Sequence, residues 1–176
     1  MQKIGGIMST KIMIVILSFF LFIPCAFSAN DSFDTLFTEL MTQKEIFKIG
    51  EKIDNLSKEL FAALDSIDNS ELKEKSTIEE LSFVSREIAT IALMFSKGIE
   101  LTQTETNTTD FGNLFKLNDF SRKRLSASYS ILQFRGNQIN NTSCVYYIDQ
   151  IKIETKKLQG ILEKNSDIFE AFSKKK

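Results

Sequence analysis

Apolar residues recur along most of this chain at alternating steps of three and four. From Phe33 the series runs Phe33, Leu36, Phe37, Leu40, Met41, then Ile46, Ile49, Ile53, Leu56, Leu60, Ala63 and Ile67. At 3.6 residues per turn that is one stripe down one side of a helix. With Asp31 or Ser32 as N-cap, this first segment is predicted to reach Asp68, with Gly50 as the place for a bend. Asn69, Ser70 and the charged residues 71–75 then read as a polar link or a frayed extension. A capping box, Ser76 with Glu79 or Thr77 with Glu80, predicts the start of a second helix, because hydroxyl and carboxylate each satisfy a backbone N–H that the first turn leaves free. Ile78, Leu81, Val84, Ile88, Ile91, Ala92 and Phe95 line its apolar side, Leu93 and Met94 widen it, and Gly98 is expected to stop it.

Residues 102–110 carry no apolar side chain and are rich in Thr, Asn and Asp, which compete for backbone hydrogen bonds; they predict an exposed, mobile loop. Phe111, Leu114, Phe115 and Leu117 form a short apolar turn, either ahead of or within a third helix capped by Asn118 and Asp119. That helix runs through Phe120, Leu125, Tyr129 and Leu132 to Arg135 and ends at Gly136-Asn137. After residues 140–143 a fourth seam follows: Ile148, Ile151, Thr155, Leu158, Leu162, Asn165, Phe169 and Phe172. Lys152, Lys156, Lys157 and Lys164 lie on its polar sides, and Lys174, Lys175 and Lys176 sit at the C-terminal end, where positive charge suits the helix dipole.

Four such segments predict an all-α fold, an antiparallel bundle of four helices, or five if the first breaks at Gly50, with long first and last members. A long two-helix coiled-coil dimer is the competing architecture, since the first and last seams follow a rough heptad. The abundance of Phe favours an irregular globular core over a thin zipper.

The first 28 residues stand apart. Lys3 and Lys11 are their only charged side chains, and residues 12–23 are apolar except for Ser18. At about 1.5 Å per residue that run reaches roughly 18 Å, short of the approximately 30 Å a spanning helix must cross. A basic start, an apolar run, Pro24, and the small residues Ala26 and Ser28 at −3 and −1 compose a secretory signal peptide, with cleavage expected between Ser28 and Ala29. Met8, followed by Lys11, is an equally good start. Residues 1–28 are thus a leader and 29–176 a single exported domain: secreted, periplasmic or in the cell envelope. The rival reading acylates Cys25 and anchors the protein to a membrane as a lipoprotein, although Phe22-Ile23-Pro24 is a poor approach to such a cleavage.

Without the leader, 20 basic residues face 23 acidic ones, which is solubility charge and not the footprint of a nucleic-acid binder. Cys144 then stands alone, so it is either an intermolecular bridge or a small side chain packed near a helix start. Arg122, Lys123 and Arg124 with Arg135 read as a contact for sulfated polysaccharide or anionic lipid, or as a solvated helix face. Asn165 either specifies register or is a satisfied polar residue near a frayed end. Asn55, Asn107, Asn140 and Asn141 open N-x-S/T triplets, which would mark a eukaryotic glycoprotein and which chance also supplies in so Asn-, Ser- and Thr-rich a chain. With no His, no paired Cys and no glycine-rich phosphate loop, the sequence carries no signature of a nucleophilic triad, a metal or a cofactor, and no enzyme activity is expected.

The leader from Lys11 to Asn30 and the Lys-, Ile-, Phe- and Asn-heavy, helical body resemble the exported protein precursor family (EppA/BapA) of Borrelia spirochaetes, which is plasmid-encoded. The resemblance implies an exported or outer-surface protein that meets tick or mammalian hosts, with no catalytic residues to transfer. Two expectations follow. One is a non-catalytic helical binding module for a host or vector macromolecule. The other is an envelope assembly protein that self-associates through its first and fourth seams, with Cys144 as a bridge between chains.

Overall fold

A helix with one apolar stripe cannot hide it alone, and four such stripes in one chain are hidden together when the helices stand side by side. The computed structural model describes residues 43–68, 71–104 and 108–174. Their helices are α1 (Gln43–Ala62), tightening into a 3-10 turn at Ala63–Ser66, then α2 (Leu72–Thr104), α3 (Thr108–Gly136) and α4 (Thr142–Lys174). By internal contacts the chain divides into Met1–Glu39 and Leu40–Lys176, and all these helices belong to the second unit. Cys25, Ala26, Ser28, Ala29 and the N-caps Asp31 and Ser32 lie outside the described residues.

Each helix packs on the next, and α4 closes back onto α1, so the all-α antiparallel bundle is the observed fold. Cross-helix contacts fix the directions. Ser96 donates to the Gln43 carbonyl at 3.2 Å, while Gly50 lies against Ala92 and Leu93, so α1 and α2 run oppositely. Glu87 meets Arg124 and Glu80 meets Arg135 between α2 and α3. Asn118 reaches Leu162 and Ser166 near one end of the α3–α4 pair, and Gly136 touches Ile148 and Lys152 at the other. The interior is the predicted seams: Ile46, Ile53, Leu60, Ile78, Leu81, Ile88, Phe95, Leu125, Leu132, Ile151, Leu158 and Leu162 have no exposed surface. The described residues of the first and fourth seams, among them Ile46, Ile49, Ile53, Leu60, Ile148, Ile151, Leu158 and Leu162, lie in this interior; Phe33–Met41 and the Phe172 side chain lie outside what is described.

Several boundaries differ from the sequence expectation, some through a competing local propensity and some through packing between helices. α2 begins at Leu72, ahead of both capping boxes, as Leu72, Lys73, Glu74 and Lys75 are all good helix formers. Thr77 accordingly sits inside the helix and donates to the Lys73 carbonyl at 3.0 Å. Gly98 does not end α2, which continues to Thr104, and the predicted loop over 102–110 shrinks because α3 already starts at Thr108. Residues 111–117 belong to α3, and Asn118 is no cap: it is fully buried in mid-helix, donating to the Leu162 carbonyl at 3.1 Å and to Ser166 Oγ at 2.9 Å. The last helix, α4, is long at 33 residues, as expected; α2 equals it and α3 has 29, while α1 is described over Gln43–Ala62 only, the predicted residues 31–42 lying outside the described ones.

α1 passes through Gly50 unbroken, so no fifth helix forms among the described residues. No described glycine has positive φ, so the glycines in the helices serve by size. A Cβ at Gly50 would stand 3.1 Å from Ala92 Cβ and from two Leu93 side-chain atoms, and one at Gly98 would stand 2.9 Å from Leu117 Cδ2. These are the points where α1 meets α2 and α2 meets α3 most closely. The predicted turn at Gly136 and the start of α4 are as expected: Asn141 Oδ1 caps α4 by accepting from the Cys144 N–H at 3.1 Å. Glu74 of α2 reinforces the corner, accepting from the Asn140 and Asn141 N–H groups at 2.7 and 2.9 Å.

Asn165 is neither satisfied nor near a frayed end. It is 1% exposed, neither amide atom has a hydrogen-bond partner, and α4 continues to Lys174.

The glycine contacts make a direct test. Gly50→Val is expected to destabilise the fold by about 1–3 kcal/mol through overpacking. Gly160, whose added Cβ would meet nothing within 4 Å, should gain about 0.5–1 kcal/mol as Gly160→Ala from helix propensity. Urea unfolding of the two variants, followed by circular dichroism, measures both signs.

Candidate functional site

Of the twelve large apolar side chains exposed among the described residues, six form two rows on α2 and α3; Phe47, Phe61, Phe115, Tyr146 and Ile153 lie elsewhere, and Leu72 stands at the start of α2. On α2, Phe83, Met94 and Leu101 are 57%, 61% and 56% exposed; on α3, Phe120, Ile131 and Phe134 are 60%, 38% and 69% exposed. Within each helix they are spaced by combinations of 11, 7 and 3 residues, which at 100° per residue keeps them within a sector of about 60° on the side away from the core. Met94 and Phe120, expected in the seams, thus face outward instead.

Both sectors lie on one side of the molecule. Glu80 and Glu87 stand about 40–60° round α2 from its exposed row, and Arg124 and Arg135 about the same angle round α3 from its own row. These four residues pair across the two helices, Arg124 Nε to Glu87 Oε1 at 2.6 Å and Arg135 Nε to Glu80 Oε2 at 3.4 Å. Because the helices are antiparallel, equal rotation toward the shared ion pairs places both rows on the same face, flanking those pairs. Six side chains of about 150–200 Å² at roughly half exposure present on the order of 600 Å² of apolar surface, at the upper end for the largest patch of a monomer.

A second concavity lies between α3 and α4. Two adjoining hollows of about 410 and 420 Å³ share Lys152; Tyr129, Ile153, Lys156 and Lys157 line one, and Ser130, Gln133, Phe134 and Asn137 the other. Lys156 Nζ stands 5.4 Å from the Tyr129 ring centroid, a cation–π distance. Lys152 and Lys157 are held by Asp149 at 3.2 Å and Glu154 at 3.0 Å. The groove offers cationic heads over an apolar floor, a setting for an anionic group with an apolar neighbour.

The cations singled out in the sequence are not brought together as a patch. Lys123 pairs with Asp119 at 2.6 Å, Arg122 lies 3.7 Å from the same carboxylate and donates to Ser166 Oγ at 3.3 Å, and Arg124 and Arg135 serve the α2 glutamates. Consecutive residues diverge by about 100° on a helix, so Arg122 faces α4 while Arg124 faces α2. Sequence reasoning missed the exposed rows because the seams drew attention; the signal available was the second, outward period of Phe and Met on the same helices.

Cys144 sits where the packed reading placed it, in the first turn of α4 with no exposed surface. Burial, and secondarily the charge of Glu74, pushes its thiol up to about 11. A bridge to another chain would require that turn to open. Asn55 and Asn140 are exposed, whereas the Asn141 side chain is engaged as the α4 cap.

Glu154 is the one buried carboxylate with a resolved shift. Burial raises its carboxyl, but hydrogen bonds from Lys52 at 2.7 Å and Lys157 at 3.0 Å, with their charges, outweigh that and hold it below the ordinary range. The pair with Lys52 ties α4 to α1.

Among the described residues no group of three His, Cys, Asp or Glu is placed to hold a metal, and no helix is long and apolar enough to cross a membrane. Fold and surfaces together define the class: an antiparallel four-helix bundle with an exposed apolar face on α2–α3 and a basic, aromatic groove on α3–α4. Comparison with known protein families, curated proteins and solved structures finds no match to the chain.

Two solution measurements check this chemistry. At pH 8 a thiol reagent is expected to label Cys144 in urea and to leave it unlabelled in the folded protein over the same interval. The Glu154 contribution is complete above the unfolded glutamate value of about 4.3 and is lost as pH falls through the lower folded value. The urea midpoint should therefore fall between pH 7 and pH 3, and Glu154→Gln should cost about 1–2 kcal/mol at pH 7 and little at pH 3.

Proposed function

We propose that this protein is an exported, non-catalytic helical module that acts by contact, in the setting of a host or vector. The observation that carries the reading is the α2–α3 face. Phe83, Met94, Leu101, Phe120, Ile131 and Phe134 remain 38–69% exposed, and so much aligned apolar surface is costly in water unless a macromolecule covers it. The leader supports export, and the resemblance to the exported precursors of spirochaetes supports the host setting. The α3–α4 groove gives the same module a second surface, suited to an anionic group on a partner. Lipid anchorage through Cys25 would keep the module at a membrane without altering either surface.

Fractionation of producing cells followed by N-terminal sequencing is the test. The expected result is protein outside the cytosol beginning at Ala29, with saturable binding to host or vector extracellular material that falls at least about tenfold in Phe83→Ser/Phe134→Ser. An unprocessed precursor confined to the cytosol overturns the proposal.

A further inference from the structure

The groove between α3 and α4 carries its cations along its length rather than at one point; the inference rests on the reading of that groove as a second contact surface and deepens it. Lys156 stands at one end, its Nζ 5.4 Å from the Tyr129 ring centroid. Lys152 reaches toward the other end, where its Nζ would stand 3.2 Å from a Cβ added at Gly136. From Tyr129 to Asn137 the groove follows α3 for about 12 Å, with Ser130, Gln133 and Phe134 between them.

The lysines here outnumber the carboxylates. Lys157 and Lys52 share Glu154 Oε1 at 3.0 and 2.7 Å, so two cations rest on one buried carboxylate oxygen. Lys152 pairs with Asp149 at 3.2 Å, while Lys156 rests on the Tyr129 ring and, among the described residues, on no carboxylate. The next carboxylates along the two helices are Glu163 and Asp119. They lie about 10 Å beyond Lys156 and about 15 Å beyond Tyr129. The groove therefore keeps spare positive charge, which Arg122, Lys123, Arg124 and Arg135 do not, each being drawn to a carboxylate of its own helix or of α2.

We propose that this groove binds an acidic polysaccharide, a chain of sugar rings bearing sulfate or carboxylate groups. Cations spread along a groove match negative charge that recurs along a polymer, and counterions released from such a polymer favour the contact. Between the cations the lining is polar and uncharged. The amides of Gln133 and Asn137 and the hydroxyls of Ser130 and Tyr129 both donate and accept, as sugar hydroxyls do. Gln133 Nε2 donates to Tyr129 Oη at 3.4 Å, which orients the two together. Tyr129 and Phe134 add flat apolar rings on which the faces of sugar rings can rest. A lipid bilayer would meet the ridges of the two helices and leave the polar groups between them facing hydrocarbon, which costs free energy.

A fluorescein-labelled heparin oligosaccharide is the probe, titrated with the full-length product purified as the producing cell processes it. Anisotropy should rise to saturation, with an affinity that falls as salt is added. Lys152→Gln/Lys156→Gln should weaken binding at least about tenfold and lower the salt slope by about two. Gln133→Ala/Asn137→Ala should weaken it at least about threefold with the slope kept. Lys44→Gln/Lys73→Gln, which removes the same charge from exposed positions on α1 and α2, and Phe83→Ser, on the α2–α3 face, should leave it nearly unchanged. No saturable binding at about 0.15 M salt, an equal loss in the Lys44/Lys73 variant, or binding to phosphatidylserine vesicles or to single-stranded DNA as tight as to the oligosaccharide overturns the proposal. Such a failure leaves the α2–α3 face to its own cell-binding assay, and a cytosolic precursor overturns the exported role without altering what the purified protein binds.

Discussion

Enclosure of four apolar seams is the constraint on which the rest of this molecule depends. Ile46, Ile53, Leu60, Ile88, Phe95, Leu125, Leu132, Leu158 and Leu162 come from all four helices and share one interior with no exposed surface. Burial of each such side chain contributes about 1.5–3 kcal/mol, but only when the neighbouring seams are present. The ring from α1 to α2 to α3 to α4 and back to α1 therefore stands or falls as a unit. How near the helices come within that ring is decided at Gly50, Gly98 and Gly136, where side chains of the neighbouring helix occupy the space a Cβ would need.

Inside this apolar enclosure the polar groups set register. Asn118 grips the Leu162 carbonyl and Ser166 across the α3–α4 contact, Lys52 reaches Glu154 across α1–α4, and Glu74 holds the backbone that leads into α4. A slide of α3 along α4 would leave the Asn118 amide buried and unpaired, and one of α4 along α1 would take Lys52 from the buried Glu154 carboxylate, which costs more than the pairing contributes. Asn165 shows the opposite case: its amide is buried without a partner, so it lowers stability where leucine would raise it. Such a group persists where it confers specificity or is tolerated by an otherwise sufficient core.

The outer surface follows from the same arithmetic read in reverse. α3 carries apolar residues on two sides, one consumed by the bundle at Leu125 and Leu132 and one left outside at Phe120, Ile131 and Phe134. The inner side is an interface of the bundle, and the outer side is exposed apolar surface. The ion pairs Glu87–Arg124 and Glu80–Arg135, which run between the two rows, join α2 to α3 and add little to the fold.

What the sequence determined by itself is local: the helical period, the apolar seams over the described residues, the end of α3 at Gly136 and the start of α4 after residues 140–143 are all set by residues within a turn or two of each other. Its errors have two causes. The capping boxes at Ser76 and Thr77 yield to the helix formers just before them, while the stop at Gly98, the bend at Gly50 and the cap at Asn118 are overridden where a neighbouring helix supplies packing or a hydrogen bond that an isolated segment lacks. Only the tertiary structure decided which side of α3 is interior, that Arg122 and Arg124 serve different helices, and that six outward apolar residues on two helices share one face. The physical reason is that a helical period fixes angles about a helix's own axis, whereas the placing of one helix against another depends on contacts between residues far apart in the chain.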